Sequence, residues 1–162
     1  MAAYPIRILF VCTGNACRSQ IAEGYARALS NGMLSAASAG LQAHGKNPLA
    51  IKVMQEDGVD ISGQTSKALT QEHLEQADIV VTVCGHADEH CPIIDPTKLR
   101  CHWPFDDPAK FKGDATVVLD GFRTVRDQIK QKIQTFIQEL SRDPDLNKIT
   151  AKQAEDNINI LA

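Results

Sequence analysis

No apolar run in this 162-residue sequence is long enough to cross a bilayer. The longest, around Ile8–Val11 and Ile79–Val83, fall far short of the roughly 20 residues a spanning helix needs. Met1-Ala2-Ala3-Tyr4-Pro5 has neither a basic n-region nor an apolar h-region, so no secretory signal is expected and a cytoplasmic location is. Neither sign of charge dominates. Lys and Arg number 17 against 20 Asp and Glu, a net charge of −3, which gives no electrostatic reason to expect nucleic acid or an anionic membrane as a partner. There is no internal repeat, which excludes a solenoid or an array. Tyrosine is scarce, with only Tyr4 and Tyr25. What remains is an ordinary soluble composition, 43% hydrophobic and 23% charged, in a chain long enough for one domain with a real core. In a reducing compartment its five cysteines point to catalytic, metal-binding or buried thiols rather than structural disulfides.

The densest chemistry lies in Cys12-Thr13-Gly14-Asn15-Ala16-Cys17-Arg18-Ser19, directly after the apolar run Ile8-Leu9-Phe10-Val11. A thiol, five residues, an arginine and a hydroxyl make a compact trap for a tetrahedral oxyanion. The backbone N–H groups of Thr13, Gly14, Asn15, Ala16, Cys17 and Arg18 can form a nest, and a following helix adds its positive end. Arg18 can fork onto two oxygens. The same positive surroundings favour a thiolate at Cys12, so one loop offers both an anion holder and a nucleophile.

Around the loop the pattern alternates. Ile6–Val11 reads as a buried strand and Ser19–Ser30 as a helix with Ile21, Tyr25, Ala28 and Leu29 on one face, ending at Asn31-Gly32. Leu34–Ala39 is a short strand. Pro48–Asp57 is a helix with Pro at its start and Gly58 past its end, and Thr70 caps a short helix to Gln76. Ile79–Val83 is a strongly apolar strand and Leu99–Trp103 a weaker one. Asp120–Leu140 is the clearest helix, with a stripe of Phe122, Val125, Ile129, Ile133, Phe136, Ile137 and Leu140. Strands alternating with helices predict an α/β fold with a parallel sheet covered on both faces. We read residues 1–141 as a single domain and 142–162 as a polar C-terminal extension.

A second cysteine group, Cys84-Gly85-His86-Ala87-Asp88-Glu89-His90-Cys91-Pro92, starts where an apolar strand ends, as Cys12 does. In a parallel sheet the two strand ends lie on one edge. If the strands are neighbours, about 4.8 Å apart, the two thiols come within disulfide range. Hydrolysis of an oxyanion ester needs one thiolate; two-electron reduction of a bound oxyanion needs a second thiol to resolve the first adduct. Cys84 suits that role. Cys91, on a polar segment with Gly85 to bend it and Pro92 to resist a long helix, could then carry the oxidation outward. Three plainer readings stand beside this. Cys84 is a small buried strand-end residue; Cys84, His86, His90 and Cys91 bind zinc, although they lack the separated ligand pairs of zinc sites; or Cys17 is the redox partner of Cys12. Cys101 reads as an inert core thiol, and His44, His73 and His102 as surface or satisfied histidines.

Expelling an oxygen from an oxyanion centre also needs a proton donor. Asp107, directly before Pro108 and near Trp103 and Phe105, stands in an apolar setting suited to one. Asp106 is the runner-up, and a capped surface turn is the plain alternative.

Together these residues resemble the low-molecular-weight protein tyrosine phosphatase family, and Cys84, Cys91 and His102–Ala109 resemble its thioredoxin-coupled arsenate reductase branch. The likeness covers about residues 6 to 140. It implies a four-stranded parallel sheet flanked by helices in three layers. It further implies that Cys12 attacks arsenate held by the loop and Arg18, that Ser19 stabilises the Cys12 thiolate, and that Asp107 protonates the departing oxygen. Cys84 would form a Cys12–Cys84 disulfide as arsenite leaves; Cys91 would then form Cys84–Cys91, which loops out for thioredoxin. No metal or organic cofactor is implied, and a monomer is expected. Some members bind potassium near the loop through positions matching Asn15, Glu23, Ser38 and Thr65. A further acidic ligand of theirs falls on Lys67 here, whose ammonium could take the cation's electrostatic place, so no obligate potassium is expected. The alternatives are a phosphatase using Cys12, Arg18 and Asp107, disfavoured by Ala109-Lys110 where the fold's phosphatases place tyrosine; a non-enzymatic anion-binding domain, which leaves Cys84 and Cys91 idle; and a reductase using a small thiol, which has no need of Cys91.

Overall fold

The computed structural model describes residues 5–92 and 98–142. Four strands, β1 (Ile6–Cys12), β2 (Leu34–Gly40), β3 (Ile79–Thr82) and β4 (Leu99–His102), form one parallel sheet in the order β2-β1-β3-β4. The central strands β1 and β3 are covered on both faces, which is why they are apolar runs rather than alternating patterns. The chain leaves β1 toward β2 on one side and returns to build β3 and β4 on the other. The order therefore reverses between β1 and β3, and a crevice opens there beyond their carboxyl ends.

Among the described residues five helices surround the sheet: α1 (Arg18–Leu29), α2 (Pro48–Glu56), α3 (Gln71–Gln76), α4 (Gly85–His90) and α5 (Ala115–Ser141). Asn47 caps α2 through its side chain, which accepts from the Leu49 amide at 2.9 Å, and Pro48 occupies the first turn. Thr70 and His73 form a reciprocal capping box on α3. α5 lays Phe122, Val125, Ile129, Ile133, Phe136 and Leu140 into the core, where Trp103 packs between Phe136 and Phe10 at ring-centroid distances of 5.2 and 6.1 Å. The wholly buried ring of Tyr25 ties α1 to this layer, its hydroxyl donating to Asp57, which also pairs with Lys130 of α5. Among the described residues no helix is long and apolar enough to cross a membrane.

Three sequence expectations change. On α1 the expected Ile21 and Tyr25 are buried and Leu29 packs against the core, but Ala22 and Ala26 take the place of Ala28. α1 is buried nearly all round through its first two turns, and Ala28 has already emerged into solvent. α5 starts at Ala115, before Asp120, with the Asp114 carboxylate accepting from the Val117 amide at 3.0 Å; the added turn is largely solvent-facing and so lacks an apolar period. The segment between Cys84 and Cys91 is a helix rather than a flexible tract. Cys84 caps it, its sulfur accepting from the Ala87 amide at 3.3 Å, and Asp88 near the start and His90 at the end complement the helix dipole. The expected extension 142–162 lies outside the described residues beyond Arg142.

Candidate active site

The loop after β1 is built by turning its carbonyls outward. Cys12 O accepts from the Leu41 amide at 3.0 Å, Thr13 O from Gln42 at 2.9 Å, Gly14 O from His44 at 2.9 Å and Ala16 O from Asn47 at 3.0 Å. Asn15 O accepts from Gln20 Nε2 at 3.2 Å. With these carbonyls held from outside, the rigid peptide planes aim the neighbouring N–H groups into the hollow, an anion-binding nest at the start of α1. Asn15 sits at φ 49°, in the left-handed region that such a nest requires and that Asn tolerates better than most residues. The segment behind the loop passes so close that a Cβ on Gly40 would stand 2.6 Å from Asn15 N and 2.4 Å from Gln42 O. Gly40→Ala is therefore expected to lower stability by about 1–3 kcal/mol in urea unfolding and to weaken phosphate binding at the loop. A neutral effect on both would mean that the loop yields at no cost.

Cys12 is buried at the floor of this hollow. Its Sγ lies 2.7 Å from Ser19 Oγ and accepts from the Asn15 amide at 3.2 Å. Ser19 Oγ also accepts from Asn15 Nδ2 at 2.8 Å, which leaves its own hydrogen free to point at the sulfur. Arg18 Nη1 donates to Phe105 O at 3.0 Å, and Nη2 lies 3.6 Å from Asp107 Oδ2. The guanidinium is thus held between the nest and the segment after β4. Asp107 also caps the 3₁₀ turn Pro108–Lys110, its Oδ1 accepting from the Ala109 amide at 3.0 Å, while Asp106 is exposed and turned away from this pairing.

Cys84 reaches the same crevice from β3. The register Val11↔Thr82 and the bond from Val83 N to Val11 O at 2.9 Å carry the two strands side by side up to the loop. Cys84 Sγ lies 3.4 Å from Thr13 Oγ1, beside the residue that follows Cys12. All five cysteines are free thiols, with Cys84 buried and Cys91 half-buried at the far end of α4. Burial pushes the Cys17 thiol up to about 12, and the charges of Asp107 and Cys12 add to it. At neutral pH its thiolate fraction is on the order of 10⁻⁵, so Cys17 is a poor attacking group. Burial pushes Cys101 to about 12 as well, in keeping with a core thiol. His44 bonds Gln42, His73 bonds Thr70 and His102 bonds Thr82. Among the described residues no three His, Cys, Asp or Glu side chains are grouped to hold a metal ion.

Behind the loop, Asn15, Glu23, Ser38 and Thr65 share one hydrogen-bond network. Asn15 Nδ2 and Glu23 Oε1 both bind Ser38 Oγ, at 2.9 and 2.6 Å, and Gln20 Nε2 joins Asn15 Oδ1 at 3.1 Å to Thr65 O at 3.2 Å. Arg27 pairs with the other Glu23 oxygen at 3.3 Å, and Lys67 lines the same cavity of about 450 Å³. The cavity thus sets the carboxylates of Glu23 and Asp60 beside two cationic side chains, Arg27 and Lys67. Sequence reasoning missed Gln20, Gln64, whose Nε2 donates to Gln20 Oε1 at 2.7 Å, and the Phe105 carbonyl, since their role depends on how α1 and the segment after β4 face the loop. A glutamine directly after Ser19, in the first turn of a helix rising from an anion loop, was the available signal.

The family model for low molecular weight phosphotyrosine protein phosphatase matches residues 7–146. The arsenate reductase of Halalkalibacterium halodurans is 51% identical over 129 residues, covering 80% of this chain and 93% of its own length. The arsenate reductase of Bacillus subtilis is 46% identical with the same coverage. Among solved structures, an arsenate reductase in a phosphate-binding state superposes with a TM-score of 0.68 at 34% identity, covering 83% of this chain and 98% of its own. A tyrosine phosphatase of Erwinia amylovora superposes with a TM-score of 0.73 at 25% identity, covering 88% and 97%. With the sheet order, the anion loop and the reach of these matches in agreement, the chain belongs to the low molecular weight phosphotyrosine protein phosphatase family.

Proposed function

We propose that this protein reduces arsenate to arsenite by a relay of three thiols, Cys12, Cys84 and Cys91, with thioredoxin as the electron donor. The observation that carries this reading is the placement of Cys84 beside Thr13 at the end of the strand next to Cys12. The arsenate reductases similar in sequence over most of the chain add to it.

The nest and Arg18 hold the tetrahedral anion over Cys12. Ser19 Oγ–H and the Asn15 amide stabilise the thiolate, which attacks arsenic while Asp107 protonates the departing oxygen, and water leaves. Cys84 then attacks Cys12 Sγ. The electron pair of the S–As bond stays on arsenic, which falls from the +5 to the +3 state and leaves as arsenite, and a Cys12–Cys84 disulfide remains. Cys91 attacks Cys84, freeing Cys12 and forming Cys84–Cys91 for thioredoxin to reduce. Cys84 and Cys91 cap opposite ends of the six-residue α4, about 10 Å apart along its axis, whereas a disulfide needs Cα atoms roughly 4.4–6.8 Å apart. The helix must therefore unwind for the last exchange. Every group in the relay comes from one chain, so a monomer suffices, and a thiol relay suits the cytoplasm, where thiols are kept reduced.

The test is to mix the protein with arsenate, thioredoxin, thioredoxin reductase and NADPH, and to follow NADPH oxidation. Sustained turnover is expected. Rapid hydrolysis of a phosphotyrosine ester without arsenate turnover would hand the site to the phosphatase reading, which the shared loop favours. Ala109 and Lys110 place no aromatic wall after Asp107-Pro108 for such a substrate.

We also propose that no potassium is required, because Arg27 and Lys67 bring positive charge to the network that joins Glu23 to the loop. Replacing sodium by potassium at constant ionic strength should leave kcat/KM and Tm unchanged. A gain specific to potassium would overturn this.

A further inference from the structure

Arg100 lies on β4, outside the anion loop, yet it binds the segment that the relay must move. Its Nη2 donates to the main-chain oxygen of Asp88 at 2.8 Å and to Asp88 Oδ1 at 3.2 Å, and its Nη1 donates to Pro92 O at 3.4 Å. Asp88 Oδ1 also accepts from Thr82 Oγ1 at 3.0 Å, and Thr82 Oγ1 lies 2.8 Å from His102 Nδ1. One guanidinium on a strand thus grips α4 at Asp88 and the chain at Pro92, the residue just beyond Cys91. Asp88 is a firm anchor. Burial alone would raise it, but the Thr82 hydroxyl and Arg100 outweigh that and hold the carboxyl below its usual range.

Through its bond to Pro92 O the same guanidinium stands next to the residue that follows Cys91. Burial pushes the Cys91 thiol above its ordinary range and the Asp88 carboxylate adds to that, while Arg100 opposes both by charge and by hydrogen bond. Among the described residues, Arg100 from β4 and Asp88 from α4 are the charges that act on Cys91. Attack on a disulfide needs the thiolate, so the cation beside Cys91 bears on the rate of the last exchange and not on the arsenic chemistry at Cys12.

We propose that Arg100 is a positioning residue for the second thiol exchange: it fastens α4 to β4 through Asp88 and Pro92 while the protein is reduced, and it supplies the positive charge beside which Cys91 becomes the attacking thiolate. This rests on the three-thiol relay proposed above. In the step concerned, Cys91 gives its proton to solvent and its sulfur bonds to Cys84 Sγ. The Cys12–Cys84 bond breaks and Cys12 leaves as the thiolate, with no net change in oxidation. An arginine suits both tasks, since its fork spans two carbonyl oxygens and a carboxylate while its charge stays fixed at any working pH.

The test uses the full chain, mixed with arsenate in the absence of thioredoxin, quenched in acid and mapped for disulfides across a range of pH. In wild type, Cys84–Cys91 should accumulate after arsenite release. In Arg100→Gln the midpoint of the pH profile for that disulfide should move up by about one unit, which slows the exchange roughly tenfold at neutral pH, while arsenite release slows far less. Arg100→Lys should restore the midpoint, because it keeps the charge. In both variants the backbone amides of α4 should exchange hydrogen about tenfold faster than in wild type, because neither has the fork. An unmoved midpoint in Arg100→Gln, or unmoved amide exchange in both variants, overturns the proposal and leaves the relay standing. A wild-type protein that releases arsenite but never forms Cys84–Cys91 overturns the relay itself.

Discussion

Cys91→Ser is expected to release one arsenite per protein molecule and then stop. The variant keeps the anion loop, Arg18, Asp107 and Cys84, so the first two exchanges proceed, and the protein stalls as a Cys12–Cys84 disulfide within the crevice between β1 and β3. Both sulfurs are nearly inaccessible there, Cys12 at 3% and Cys84 at 5% exposure, so an external dithiol would have to reach a bond that the folded protein covers. Cys91 sits half-buried at the far end of α4 and offers the way out. Steady-state turnover with thioredoxin should fall by about two orders of magnitude or more, the scale on which losing a positioned catalytic group acts. Quenched-flow arsenite measurement together with mass mapping of the trapped disulfide checks both halves. Full steady-state turnover by Cys91→Ser would sink the relay. Cys84→Ser is the companion variant: it should form the first adduct and release no stoichiometric arsenite.

Arg18→Lys should cost about 10²–10³ in kcat/KM for arsenate, although the charge is kept. The lost property is geometry. One guanidinium spans the Phe105 carbonyl at 3.0 Å and the Asp107 carboxylate at 3.6 Å, and a single ammonium cannot hold both and fork onto the anion as well. The proton donor then loses its alignment along with the anion. Competition by phosphate should weaken in parallel, since the loop reads charge and tetrahedral shape, while Tm should move little because lysine keeps the charge and most of the apolar stem. A loss of less than fivefold would show that the nest alone orients the anion.

The parts of this protein that were legible in the sequence are those whose environment is uniform. β1 and β3 are buried on both faces, so each is a plain apolar run, and the stripe on α5 repeats because one side of a long helix meets the core throughout. The parallel sheet followed from their alternation, and the loop was legible because a single local segment supplies nucleophile, amides, arginine and hydroxyl. What escaped depends on partners distant in sequence or on unusual local chemistry. α4 was hidden because its cap is a thiol rather than a hydroxyl or carboxylate. The grip of Arg100 on Asp88 exists only because β3 and β4 pair at Thr82↔His102. The opening turn of α5 carries no apolar period at all.

The capping of α4 by Cys84 has a consequence for timing. The lone pair that receives the Ala87 amide belongs to the same sulfur that, in the proposed relay, turns toward Cys12 and gives up its electrons. An N-cap is worth about 1 kcal/mol to its helix, a large share of what holds so short a one together. In the proposed relay, oxidation of that sulfur withdraws the support of the helix at the moment when Cys91 has to travel. In that relay the helix acts as a spring catch, released by the reaction it guards and reset once the sulfur is reduced again.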